Sequence, residues 1–354
     1  MPVLDHANPN SRLARRWKNG PMAASHPLVF PIHLLYLSGK HQRGMGMYGV
    51  AIGASSGPAC VARIQQAEAA GVPAAWATMG AAGAADMMPV LAAAAAQTER
   101  ILLGNCIVHT WSRQPLTFAE EAIAVDDFGP GRFRLGIGPT TAFLVERMYG
   151  RPYAKPLTNL REYLHTVRTL LREGSVKFEG EHVSLRWRIN PKAPVPVMAS
   201  ALQPKSYALC GELADGAISW MSPLTYLTQI ALPALQRGAA SAGREPPPLV
   251  AHVPVAVNTD RDSALAMARE QLGMYARVPN YQGMFSAAGY DVADGYSDEL
   301  LNDLVVSGSE AEVAAGLRRW IDAGMGEVIA LPLQGEDREA STAAAFAAVA
   351  QAAG

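Results

Sequence analysis

Residues 101–109 read ILLGNCIVH, an apolar run in which hydrophobic side chains fall on odd and even positions alike. A strand with one wet face alternates, and a helix needs a longer periodic segment. A short unalternated run is therefore read as a strand buried on both faces. Such strands belong to parallel sheets covered by helices, and VIALPL at 328–333 repeats the pattern. Working outward, strand-like runs recur at Tyr48 to Gly53, Ala74 to Met79, Ile101 to His109, Arg132 to Gly138, Val195 to Ser200, Gly216 to Trp220, Leu249 to Val257 and Glu327 to Pro332. Between them lie Ala-rich segments with helical signals: Pro58 opens one, Val61, Ile64 and Ala67 mark its apolar face, and Gly71 stops it.

The first four runs begin at residues 48, 74, 101 and 132, the spacing of a strand, a helix and two short loops. Eight such units predict an α/β fold, a (β/α)8 TIM barrel. Insertions are expected after strand 4 (132 to 195) and after strand 7 (249 to 327), where the gaps are too long for one helix. The first holds a helical segment around Leu160 to Arg172 and a hairpin-like VKFEGEHVSL with its turn near Gly180. The second, Gly273 to Asp303, carries Met274, Tyr275, Tyr281, Met284, Phe285, Tyr290 and Tyr296. Insertions in βα loops crown the C-terminal face of a barrel, so an aromatic lid is expected there, with Tyr281 or Phe285 over the substrate. A doubly wound sheet is the weaker alternative, because GASSGP follows the first strand where a glycine fingerprint would stand.

Composition narrows the function. The 354 residues carry 30 Lys+Arg and 31 Asp+Glu, with 49% hydrophobic residues. That balance excludes a polyanion-binding surface and a disordered chain, and no run is long enough to cross a bilayer. Cys60, Cys106 and Cys210 are odd in number, which fits a reducing, cytoplasmic setting; Cys106 and His109 form one CxxH without a second pair, so no metal site is expected. Residues 1–44 carry six basic groups and one acid. Pro31 and His33 interrupt the apolar stretch Leu28 to Leu37 and no small-residue cleavage pattern follows, so the segment reads as a disordered extension rather than an export leader. Residues 45–354 are expected to form one domain.

The chemistry gathers at strand ends. NCIVHTWSRQP (Asn105 to Pro115), FGPGRFRLGIGPT (Phe128 to Thr140) and PVPVMASALQPKSYALCGELADGAISW (Pro194 to Trp220) together resemble the luciferase-like flavin and deazaflavin oxidoreductases, nearest the actinobacterial members that use coenzyme F420. The resemblance runs from about Met47 to Leu333. It implies a non-prolyl cis peptide at Cys106 and Ile107 that buttresses the central ring of the cofactor. It places the backbone amides of Ala201, Leu202 and Gln203 around the cofactor phosphate, although Gln203 stands where relatives have glycine. His109 would line the ring as a hydrogen-bond donor or acid. Arg113 would anchor the cofactor or its loop, and Thr140 and Thr141 would reach the ring or substrate.

The implied activity is hydride transfer between a deazaflavin and a small organic substrate. Alternatives are an FMN-dependent monooxygenase using dioxygen and, in another class, a non-catalytic flavin-binding barrel. A reductase supplying reduced cofactor and a homodimer are compatible with the resemblance; nucleic acid and membrane partners are not expected. The second strand ends in WATMG with no acidic residue, which favours hydride delivery to an activated alkene or imine over oxidation of a hydroxyl. Because residues 1–44 have no periodic apolar face, a chain started at Met45 should bind cofactor and melt as the full chain does. A drop of several degrees in Tm would contradict that reading.

Overall fold

The computed structural model describes residues 46–83 and 85–354; the extension at 1–44 lies outside the described residues. The strands, in chain order, are β1 Met47–Ala54, β2 Ala74–Ala82, β3 Leu102–Cys106, β4 Val108–His109, β5 Phe133–Gly138, β6 Ser175–Glu179, β7 Ser184–Arg188, β8 Val197–Ser200, β9 Gly216–Ser219, β10 Leu249–Val257, β11 Val306–Gly308 and β12 Glu327–Pro332. All pairings except the β6–β7 hairpin are parallel, and the register Met47↔Glu327 between β1 and β12 closes the ring. β3 and β4 are one barrel strand broken after Cys106, so the barrel has the eight strands that the sequence predicts.

The helices are α1 Gly57–Ala69, α2 Met87–Gln97, α3 Pro115–Phe128, α4 Ala142–Tyr149, α5 Pro156–Glu173, α6 Pro204–Leu213, α7 Leu232–Ser241, α8 Arg261–Leu272, α9 Pro279–Ala287, α10 Asp298–Leu304, α11 Glu310–Asp322 and α12 Arg338–Ala353. Local chemistry sets their ends. In α1 the Ser56 side chain accepts from the Ala59 amide, Pro58 occupies the first turn, and the buried face is Cys60, Val61, Ile64 and Ala67. Among the described residues, no helix is long and apolar enough to cross a membrane.

Two apolar layers result. One lies between strands and helices; the other fills the barrel with Ala51, Trp76, Leu102, Cys106, Met198, Ile218, Val250 and Ile329. Large side chains in that interior face small ones: a Cβ on Gly104 would stand 2.5 Å from the Trp76 ring. Across the barrel, Arg134 pairs with Glu327 2.5 Å away, Trp76 Nε1 donates to the other Glu327 oxygen at 2.7 Å, and the Arg134 guanidinium lies 4.4 Å from the Trp76 ring centre.

Both insertions are present, with one refinement. Only α4 and its flanks lie in the loop after β5, because α5 is the barrel helix that packs on α3 and α6. The β6–β7 hairpin follows α5 and so springs from the opposite end of the barrel. Its turn climbs back to the rim, where Glu162 accepts the amides of Glu181, His182 and Val183 at 2.9, 2.7 and 3.0 Å. The second insertion comprises α8, α9, α10 and β11, with β11 extending β10 beyond its contact with β9.

Removing one member of a buried ion pair leaves its partner's charge in low dielectric, at a cost of about 3–5 kcal/mol. Glu327→Gln is therefore expected to lower unfolding free energy by that order in a urea titration; a loss below about 1 kcal/mol would show that the pair contributes little.

Candidate functional site

The C-terminal mouth is assembled from the ends of adjacent strands. The Cys106–Ile107 peptide bond is cis, at the position that the family resemblance implies. Where that step interrupts the β3–β5 ladder, a side chain takes over the pairing: Asn105 Nδ2 donates to the Gly136 carbonyl at 2.5 Å and Asn105 Oδ1 accepts the Gly136 amide at 3.0 Å. Asn105 is 1% exposed, so both ends of its amide are satisfied away from water.

Beneath this floor, Cys106 Sγ lies 3.2 Å from His252 Nε2, and His252 Nδ1 lies 2.8 Å from the Ser219 carbonyl oxygen. A carbonyl can only accept, so Nδ1 carries the ring proton and Nε2 receives the thiol hydrogen. Burial pushes the Cys106 thiol pKa up and that of His252 down to about 4, so both are neutral at pH 7. The Trp220 ring covers His252 with centroids 4.9 Å apart. Cys106 thus turns to His252, not to His109 of the CxxH pattern.

His109 ends β4 and is 3% exposed, with Nδ1 3.0 Å from the Tyr149 hydroxyl of α4. Burial lowers its pKa to about 4. At neutral pH only about one ring in a thousand would be imidazolium. The expected acid is therefore a neutral imidazole, and its usefulness depends on what stands behind it. Thr140 and Thr141 follow β5, which pairs with His109 through Gly138, and both are half-buried at the rim.

Two expected contacts are arranged differently. Arg113 is committed to a two-carboxylate salt bridge with Asp86 and Glu121, so its charge is neutralised locally and does not stand free as an anchor. After β8, the Ala201 amide donates to the Ile218 carbonyl at 2.9 Å. The amides of Leu202 and Gln203 both converge on Ser206 Oγ at 3.1 Å. The loop is a two-donor nest whose acceptor is the hydroxyl of its own α6. Gln203, where the resemblance implies glycine, sends Nε2 to the Asn280 carbonyl of α9 at 2.8 Å and ties that loop to the second insertion.

That insertion does cover the mouth side of β8 and β9, but its two aromatic candidates differ. Phe285 is 0% exposed, packed between Tyr281 and Tyr296, and is a core residue rather than a substrate cover. Tyr281 is half-buried and packs at a tilt against Tyr275, which meets Trp220. Sequence reasoning missed Tyr149, Ser206 and His252. Ser206 was visible as a serine at the third position of a helix after Pro204. His252 and Tyr149 meet partners 146 and 40 residues away, which local patterns do not reveal.

The sequence profile of the luciferase-like monooxygenases matches residues 33–327. The chain belongs to this family. An uncharacterized protein of Mycobacterium tuberculosis is 30% identical over 220 residues, 57% of this chain and 64% of that protein, so the match spans less than two thirds of that relative. An F420-dependent glucose-6-phosphate dehydrogenase of Kineococcus radiotolerans is 27% identical over 66% of this chain and 73% of its own length. A solved F420-dependent secondary alcohol dehydrogenase, in complex with an F420-acetone adduct, shares the fold with TM-score 0.72 at 17% identity, covering 87% of this chain and 99% of that one.

Two buried histidines with depressed pKa values make a pH prediction. The unfolded chain takes up these protons near pH 6.5 and the folded chain near 4, so stability should fall as pH drops through that interval. Urea midpoints at pH 7, 6 and 5 should decline in that order, and His252→Gln should flatten the decline. A midpoint constant from pH 7 to 5 would contradict the burial of neutral rings.

Proposed function

We propose that the barrel mouth binds a deazaflavin of the F420 type and exchanges a hydride between it and a small organic substrate. The braced rim at Cys106 and Ile107 carries this reading: Asn105 holds it from the side and the Cys106–His252 bond from below, which gives a fixed apolar floor for a flat ring. Close packing supports the fit, since a Cβ on Gly138 would collide with Ser200 Oγ and Ile107 Cδ1. Two amides already converging on one oxygen at Ser206 are a donor set suited to a phosphate oxygen in its place. When bound, the deazaflavin supplies the hydride. The chain's residues orient the ring, exclude water and, through His109, meet the substrate.

Cofactor choice rests on the tail. Flavin mononucleotide shares a tricyclic ring and a phosphate, so discrimination requires positive charge that is not already paired. Arg113 is neutralised, whereas Arg147 of α4 and Arg151 just beyond it are exposed and have no carboxylate partner among the described residues. The acidic tail of the deazaflavin would run along them. Tyr281 of the second insertion is the residue we place against the substrate.

Titration of the purified protein should therefore show tighter binding of the deazaflavin than of flavin mononucleotide at low salt, with the difference shrinking as salt rises. Arg147→Ala with Arg151→Ala should weaken deazaflavin severalfold and leave flavin mononucleotide unchanged, while Arg318→Ala should alter neither. Tighter flavin mononucleotide would favour the monooxygenase reading, and binding of either without anaerobic turnover the non-catalytic one.

A further inference from the structure

We propose that Tyr149 and His109 form a two-residue proton relay: the tyrosine hydroxyl donates to Nδ1, which fixes the ring proton on Nε2 for delivery to the anion that hydride transfer creates on the substrate. This rests on the hydride-transfer reading above and narrows its substrates to those whose reduced form needs a proton, a ketone or an activated alkene. Tyr149 is a positioning residue here, since it acts through His109.

Four observations place the relay. The Nδ1–Oη distance is 3.0 Å and the two rings meet edge to face, with centroids 6.0 Å apart. That contact is the one hydrogen bond the His109 ring makes among the described residues, so Nε2 is left for another partner. Tyr149 is the last residue of α4, an eight-residue helix whose sole buried side chain is Val145, and it is half-buried, so its hydroxyl can be reprotonated from solvent. Burial raises the Tyr149 pKa, an effect only partly opposed by the Arg113 charge and the Ser112 hydroxyl, so the tyrosine is a neutral donor at rest.

The step balances without a charged histidine. The hydride from the reduced deazaflavin converts a carbonyl into an alkoxide, or an activated alkene into an enolate. The Nε2–H bond breaks and its proton passes to that anion. The Tyr149 O–H bond breaks and its proton passes to Nδ1, leaving the imidazole neutral with its tautomer exchanged. Tyrosinate then takes a proton from water; once the product leaves, Nε2 takes a second proton from water at the mouth while Nδ1 passes its own to the Tyr149 oxygen, whose hydroxyl proton leaves to solvent, and the first tautomer is restored. A buried imidazole is a poor lone acid at neutral pH, and a donor behind it removes that deficiency. The relay is complete only while α4 sits on the rim, which couples substrate cover to proton supply.

The test reads the ring nitrogens first. In cofactor-free protein labelled with 15N-histidine, long-range 1H–15N spectra should show His109 protonated at Nε2 and bare at Nδ1. Tyr149→Phe should shift Nδ1 and mix the tautomers while leaving Tm unchanged. An Nδ1-protonated ring in the wild type would overturn the proposal, because the bond would then run from His109 to Tyr149. Turnover reads it second, with reduced deazaflavin and cyclohex-2-enone. Tyr149→Phe should lower kcat at least tenfold with KM and cofactor Kd within twofold, and the Tyr149→Phe, His109→Phe pair should lose no more than His109→Phe alone. Wild-type kcat in Tyr149→Phe would overturn the relay. A wild type that leaves the enone unreduced counts against hydride transfer and leaves the tautomer to decide the relay.

Discussion

The buried pair of Arg134 and Glu327 is the constraint on which the barrel depends. It spans the interior from β5 to β12, and Trp76 joins it from β2 by a hydrogen bond and by its ring face. Charges this far from water persist only when their geometry is held, and any shift of one strand misplaces three partners together. Nearer the mouth, Cys106, His252 and Ser219 tie β3, β10 and β9 in the same way. Two polar bridges thus fix six of the eight barrel strands through their interior, and the rim residues inherit that rigidity.

At the mouth the groups closest to the floor are uncharged. Burial keeps both His109 and His252 neutral and keeps Cys106 a thiol. Neutral donors and acceptors are what the proposed hydride transfer asks of such a site, where the protein supplies position rather than charge. Net charge is displaced to the periphery, where Arg113 is shared by two carboxylates and Arg147 and Arg151 stand on the edge of α4.

Much of this was legible in the sequence, and the reasons divide cleanly. Unalternated runs such as ILLGNCIVH announce burial on two faces, and their spacing counts the units, so the barrel and both insertions could be read from periodicity. The motif resemblance located the Cys106–Ile107 cis peptide and drew attention to His109 and the Ala201–Gln203 loop. What the sequence could not convey was who satisfies whom. Arg113 reads as a free cation until Asp86 and Glu121 are seen beside it. Leu202 and Gln203 read as open amides until Ser206 folds back on them. Phe285 reads as a lid because aromatic density marks an insertion without telling which ring faces outward. The hairpin turn near Gly180 was found, but its return to the rim depends on Glu162 from another element.

The position of a bound deazaflavin ring is the direct test of the proposed site. A crystal structure of the full chain soaked with oxidised deazaflavin should place the central ring on the Cys106–Ile107 peptide, with His109 at its edge and the phosphate in the place of Ser206 Oγ on the Leu202 and Gln203 amides. A ring bound away from that peptide, or saturating cofactor with the mouth empty, would contradict it.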